Sequence, residues 1–197
     1  MHPKVESVMY YCLSSSFNSH PQARLVETND EQAHEVVRGR KRVYDGEFNA
    51  DSFLEDISME QLLKLDLLET HSGLLVLSRR MVDHINNLNL QKMEFYDCAL
   101  NARSKKIMGE FLTIKNNYAL NVIDKDITPN HFWPYLKKFK YDNYVITTRQ
   151  DFLFGWDIAE PTMLICSEQF CAMVPESMFL IDYEELPCCF DKTKRRR

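Results

Sequence analysis

Glycine is scarce in this chain, with five in 197 residues against a usual share of about 7%. Gly39, Gly46, Gly73, Gly109 and Gly155 stand far apart, so no glycine-rich phosphate loop or glycine-flanked nucleophile elbow can be built from them. That count excludes the common nucleotide-binding signatures. Seven prolines likewise exclude a collagen-like or linker-like chain. No apolar run approaches the ~18 residues of a membrane helix. Residues 1–10 lack the basic start and long apolar stretch of a secretory leader. The expectation is a cytoplasmic protein with no membrane partner. Its six cysteines (Cys12, Cys98, Cys166, Cys171, Cys188 and Cys189) then fit reduced thiols rather than disulfides.

Apolar material is plentiful. Hydrophobic residues make up 45%, aromatics 12% and charged residues 27% of 23.3 kDa, which excludes a disordered chain and suits one folded domain or two tightly joined halves. The net charge of −5 is unevenly placed. Five of the 24 basic residues stand in Lys192–Arg197, so the preceding 191 residues hold 19 basic and 29 acidic groups. An acidic body repels nucleic acid, whose affinity for proteins comes mostly from Lys and Arg on phosphates. It attracts a basic protein over a Debye length of about 8–10 Å. The basic tail reads as a solvated terminus or as a patch for an acidic surface.

Residues 8–14 form an aromatic β-type run ending in serines, and 22–42 is polar loop with a short helix. Residues 51–68 suggest helix or helical turns with Asp51 or Ser52 as cap. Leu74–Leu77 is a short buried strand, Ser78 a natural N-cap, and Met81, Val82, Ile85 and Leu88 a helical stripe. Residues 93–100 continue as strand, 106–123 as one or two strands with a turn at 115–117, 133–139 as a short helix and 144–148 as extended chain. Met163–Cys166, Ser167, then Phe170, Cys171 and Val174 repeat the strand, cap and helix pattern, and 179–186 closes as a strand. Setting Leu74–Ser78 against Met163–Ser167 gives an offset of 89, with Met81 opposite Phe170. The following strands align at an offset of 86, which leaves the second helix three residues shorter. The expected fold is therefore α+β, a duplicated strand–helix–strand core with a β-rich N-terminal portion. By pattern the chain divides into residues 1–70, 71–187 and the tail 188–197, together one compact unit.

Candidate chemistry is thin. Cys166 and Cys171 lie five apart, Cys188 and Cys189 are adjacent, and His2, His20, His34, His71, His84 and His131 are scattered, so no zinc spacing occurs. No metal or cofactor is expected. A thiol site at Cys98, with His84 as a base, or at Cys166 is the form an unrecognised enzyme would take. Carboxylates cluster three times: Asp124 with Asp126, Asp157 with Glu160 after Trp156, and Asp182 with Glu184 and Glu185 on the last strand. Such groups can hold a divalent cation or run acid–base chemistry, but none has EF-hand spacing. Solvation and contact with a basic partner are the readings that fit them. Tyr10-Tyr11, Phe132-Trp133, Tyr141, Tyr144, Phe152, Phe154 and Trp156 read as core or as a protein-binding patch in which Trp and Tyr are common anchors, with Trp156 the named candidate.

Leu74–Ser78, the segment Tyr118–Asp124 (YALNVID), and Leu153-Phe154 with Met163–Phe170 and Phe179–Ile181 resemble a bacterial immunity-protein family. That family was first catalogued as a domain of unknown function and later assigned to polymorphic toxin systems (immunity protein 11). The resemblance runs from about Tyr10 to Leu186, whereas 22–68 departs from the pattern and is where specificity would lie. It implies a non-enzymatic protein that binds and neutralises a cognate toxin domain, a nuclease being one class that an acidic inhibitor fits. The family brings no catalytic residue to carry over. The alternatives are a small enzyme with a thiol or carboxylate site and a scaffold module; the residues leave monomer and dimer equally open.

Overall fold

The protein was analysed as a computed structural model that describes residues 9–15, 24–88, 94–114, 119–123, 146, 152–157, 164–186 and 188. The predicted helices and strands at 124–145 and 147–150 lie outside these. Chain order runs β1 (Tyr10–Ser15), β2 (Val26–Glu27), α1 (Asp30–Val37), β3 (Glu47–Asn49), a 3-10 turn (Phe53–Glu55), α2 (Met59–Leu62), β4 (Leu67–Glu69), β5 (Leu75–Ser78) and α3 (Arg79–Asn87). It continues with β6 (Phe95–Asp97), β7 (Ala99–Ala102), β8 (Lys105–Ile107), β9 (Phe111–Ile114), β10 (Ala119–Leu120), β11 (Phe154–Asp157), β12 (Leu164–Ser167), α4 (Glu168–Met173) and β13 (Ile181–Leu186). The fold is α+β with three sheets, ordered β4-β5-β9-β6, β10-β11-β12-β1-β13 and β2-β3-β7-β8.

The expected duplication is present in residue-level detail. Within the first sheet, β5 and β6 both run antiparallel to the strand between them, β9. In the second, β12 and β13 both run antiparallel to β1. On its other side the strand that leads into the helix, β5 or β12, pairs antiparallel with β4 or β11. Two split β–α–β units result, and they differ in where the middle strand comes from. In the first copy it follows in sequence as β9; in the second the chain's own N-terminal strand fills the slot. Backbone bonds match too: Ser78 N donates to Asp66 O at 2.9 Å and Ser167 N to Leu153 O at 2.8 Å.

Ser78 and Ser167 cap their helices as the sequence suggests, their hydroxyls accepting from Met81 N (3.2 Å) and Phe170 N (3.3 Å). These bonds satisfy amides that have no partner in a helix's first turn. Met81 and Phe170 are counterparts, and both are fully buried. Each such side chain contributes roughly 1.5–3 kcal/mol. One alignment shifts. Cross-strand register sets Phe95 against Tyr183, not Ile181, because Phe95 pairs Ile114 and Tyr183 pairs Leu13. The offset is 88, and the two-residue slip leaves every side chain on the face first assigned to it. Helix α4 is three residues shorter than α3, but its following loop regains two of them.

Alternation along the strands distributes the core. Leu67, Leu75, Leu77, Leu112, Phe154, Trp156, Leu164 and Cys166 join Met81, Ile85, Phe170 and Phe179 in one cluster, so both helices and the helix-covered faces of both sheets share a core. The reverse face of the first sheet (Leu68, Val76, Phe111) packs with Leu25, Phe48, Phe53 and Leu100. That of the second (Tyr10, Cys12, Ile165) packs with Val122, Ile123 and Ile146. His84 Nε2 meets Met173 O at 2.8 Å. The two residues are counterparts at offset 89, so the helices of the two copies meet at equivalent positions.

Several expectations shift. Residues 51–68 hold a 3-10 turn and α2 but end in the strand β4. The run 93–100 splits at Cys98 into β6 and β7, which enter different sheets. The sheets also cut across the boundary at residue 70: β1 sits in the C-terminal sheet, and the hairpin β7–β8 joins β2 and β3.

Candidate functional site

Of the eight predicted partner-contacting residues, Asp124, Asp126 and Glu160 lie outside the described residues. Trp156 and Asp157 are turned inward. Trp156 is 5% exposed and belongs to the core shared by the two helices. Asp157 is 1% exposed, and its Oδ2 accepts from Val122 N (2.7 Å) and Ile123 N (3.0 Å). It fixes the chain after β10, since leaving two buried amides unpaired would cost about 1–3 kcal/mol each. Both residues hold the fold together rather than face a partner.

The third cluster is different. Asp182, Glu184 and Glu185 are exposed on β13, the edge strand of its sheet. They do not share a face. Asp182 and Glu184 pair Ser14 and Cys12 and stand on the side away from α4; Glu185 pairs Tyr11 on the helix side. Two further carboxylates join the edge: Glu168, the first residue of α4, and Glu176, whose Oε1 accepts from Tyr183 N at 2.8 Å. Ile181 N donates to Phe179 O at 3.0 Å. The outward amides of Ile181 and Tyr183 are thus engaged, so this stretch offers its side chains, not its backbone, to an approaching molecule. Met178 and Leu180, among the most exposed large apolar residues described, immediately precede the strand.

The electrostatics follow from this crowding. The Asp182 carboxyl is held above its ordinary value by partial burial and then by the Glu176 charge. Tyr183 is pushed up mainly by burial, and its hydroxyl donates to Val174 O at 2.8 Å. The Tyr11 phenol is also raised, by burial first and then by Glu168, Cys171 and Glu185. Each effect disfavours added negative charge. The edge accommodates a cation far better than an anion.

The thiols proposed for an enzyme have the wrong environment for a nucleophile. Burial pushes Cys98 and Cys171 up to about 12, and Cys166 well above its ordinary value. A reactive cysteine needs its thiolate near neutral pH, hence a lowered pKa. His84, the suggested base, spends Nε2 on Met173 O and packs its ring 5.1 Å from Phe179. No group of three or more His, Cys, Asp or Glu suited to a metal ion occurs among the described residues, nor is any of their helices long and apolar enough to cross a membrane.

Glu176 was not singled out from sequence, Tyr11 was read only within the aromatic runs, and Glu168 only within the segment that carries the family resemblance. An acid at a helix start already has a structural reason to be there, since it complements the helix dipole, and only the alignment of the two repeats marks Glu168 as unusual. No family model and no curated protein matches the chain.

Proposed function

We propose that this chain is an immunity protein, acting in the cytoplasm of its producer, that binds a cognate toxin domain and blocks its active site sterically and electrostatically. The observation that carries the reading is the edge of β13. Three exposed carboxylates on the strand stand with Glu168 and Glu176 beside an apolar pair, Met178 and Leu180. An apolar centre with a charged rim is how protein partners are held, and concentrated negative charge speeds encounter with a basic surface such as a nuclease's substrate groove. The sequence resemblance to immunity proteins points the same way. The raised thiols weigh against the cysteine-enzyme alternative.

The test is capture of the tagged chain's partner from its native host at low salt, followed by expression of that partner's domains alone. The expected result is a domain that kills cells unless this chain is co-produced, with association slowed at least tenfold by the D182K/E184K/E185K variant. A partner harmless on its own, or one that binds the charge-reversed variant equally fast at low salt, contradicts the reading.

A further inference from the structure

The longest run of like charge among the described residues is basic, in a chain whose first 191 residues hold 29 acidic and 19 basic groups. It follows α1: Arg38, Arg40, Lys41 and Arg42 are all exposed. The α1 dipole favours a cation at this end, but it does not call for four in five residues. The shape of the loop is fixed. Gly39, at φ +72°, ends the helix, with Arg38 N bonded to His34 O (3.0 Å) and Gly39 N to Val36 O (2.9 Å). Arg40 N and Lys41 N both donate to Glu35 O, at 2.8 and 3.0 Å. Arg40 pairs with Glu35 and Arg42 with Glu94. Among the described residues Arg38 and Lys41 meet no carboxylate.

A shallow apolar cleft opens beside this loop. It holds about 230 Å³ of space open to solvent and is lined by Val36 and Val37 of α1, Gly73, Leu74, Leu75, Ile114 and the otherwise buried Trp156. The loop leaves one wall at Val37 and is tied to the other through Arg42, because Glu94 precedes Phe95 and Phe95 pairs Ile114. Small-molecule pockets run to about 300–1,000 Å³, so the cleft has room for the end of a single apolar side chain.

We propose that this cleft and the loop at 38–42 together bind an acidic segment of a protein partner, which seats one apolar side chain in the cleft and sets carboxylates against Arg38 and Lys41. The surface goes beyond the toxin-binding reading and takes partner charge opposite to that which the β13 edge takes. The planar fork of guanidinium matches a carboxylate, and two of the loop's arginines already hold carboxylates of this chain. The acidic remainder of the chain limits the partner to a short segment, since charges farther off than a Debye length of about 8–10 Å are largely screened. A long phosphate polyanion would meet the acidic body as well. A second copy of this chain would set basic loop against basic loop.

The experiment is an NMR titration of the full, isotope-labelled chain at low salt with the capped peptide Asp-Glu-Leu-Asp-Glu. The same peptide with Ser in place of Leu, and a thymidine decanucleotide, are the comparison probes. Saturable shifts are expected at the amides of Val37, Arg38, Lys41, Gly73 and Ile114. Affinity should fall at least about tenfold in R38E/K41E and at least about fivefold for the serine peptide. Both substituted residues are exposed and outside every ion pair among the described residues, so the variant keeps its fold, which an unchanged spectrum elsewhere verifies. Equal affinity for the serine peptide would remove the cleft, and tighter binding of the decanucleotide would make the loop a phosphate-binding surface; either overturns the proposal, as does an absence of shifts at millimolar peptide. The D182K/E184K/E185K variant should bind the peptide at the same amides, so the two surfaces stand or fall separately.

Discussion

The two halves of the core share a backbone plan and use their polar residues in opposite ways. In the first copy Asp66, wholly buried, accepts from Ser78 Oγ (2.5 Å), from Leu180 N (2.8 Å) and from Arg80 through Nε (3.0 Å) and Nη2, while Arg79 pairs with Asp97. Arg80 also lies 5.4 Å over the Phe179 ring. The second copy has Leu153 in the place of Asp66, Gln169 in that of Arg80, Glu168 in that of Arg79 and Glu185 in that of Asp97. The first copy neutralises itself. At the same four places its duplicate has no arginine and again two carboxylates, Glu168 and Glu185, both exposed, the latter on the edge strand β13. One copy carries the joint between the halves; the other presents exposed carboxylates at the equivalent places.

The largest effect expected is common to both halves and concerns their buried thiols. Cys98 and Cys166 have folded pKa values raised by burial, so the folded chain holds more protons than the unfolded chain above the unfolded value of about 8.5. Their contribution is complete below that pH and is lost as pH climbs toward about 12 for Cys98. A fall on the order of 3 kcal/mol between about pH 9 and 11 follows, and urea melts along a pH series will show it. C98V and C166V should each flatten the slope; a flat profile in the wild type contradicts the burial.

Next comes the hub. D66L installs the second copy's residue in the first and leaves the Leu180 amide and the Ser78 hydroxyl without their acceptor, at a cost of about 2–3 kcal/mol by urea unfolding. A loss under ~0.5 kcal/mol would show that the joint is not held there. The caps sharpen the contrast further. Ser78 accepts from Met81 N and also donates to Asp66, whereas Ser167 accepts from Phe170 N. S78A should therefore cost about 1–2 kcal/mol and S167A about 0.5–1 kcal/mol, and equal losses would erase the asymmetry. The smallest effect is R79E, which removes an exposed ion pair. It should cost at most ~1 kcal/mol, reduced in about 1 M salt, where the Debye length is ~3 Å.

What could be read from sequence was local. The caps Ser78 and Ser167, the matched Met81 and Phe170 and the three-residue difference in helix length all follow from spacing along the chain. Pairing across long separations did not. The aromatic run at 8–14 says strand, but nothing in it says that the strand lies between β12 and β13, about 150 residues away. Strand β4 was hidden because the leucines of 62–68 satisfy helical spacing until Asp66 and tertiary pairing interrupt it. The break at Cys98 is equally silent, since one continuous apolar run serves two sheets. Burial decided the rest: Trp156 and Asp157 look like a surface pair on paper, whereas β11 is an interior strand of its sheet. The acids of β13 were visible as a cluster, but their division between two faces depended on the register with β1.

The most direct test of the contrast between the copies is a double-mutant cycle that gives the first copy the second copy's residues, D66L and R80Q. The account predicts strong coupling in urea melts: R80Q costs stability while the buried Asp66 is present and costs little once it is gone, because no carboxylate is then left buried without its cation. Additive losses would contradict the claim that the two residues act as one hub at the joint between the halves.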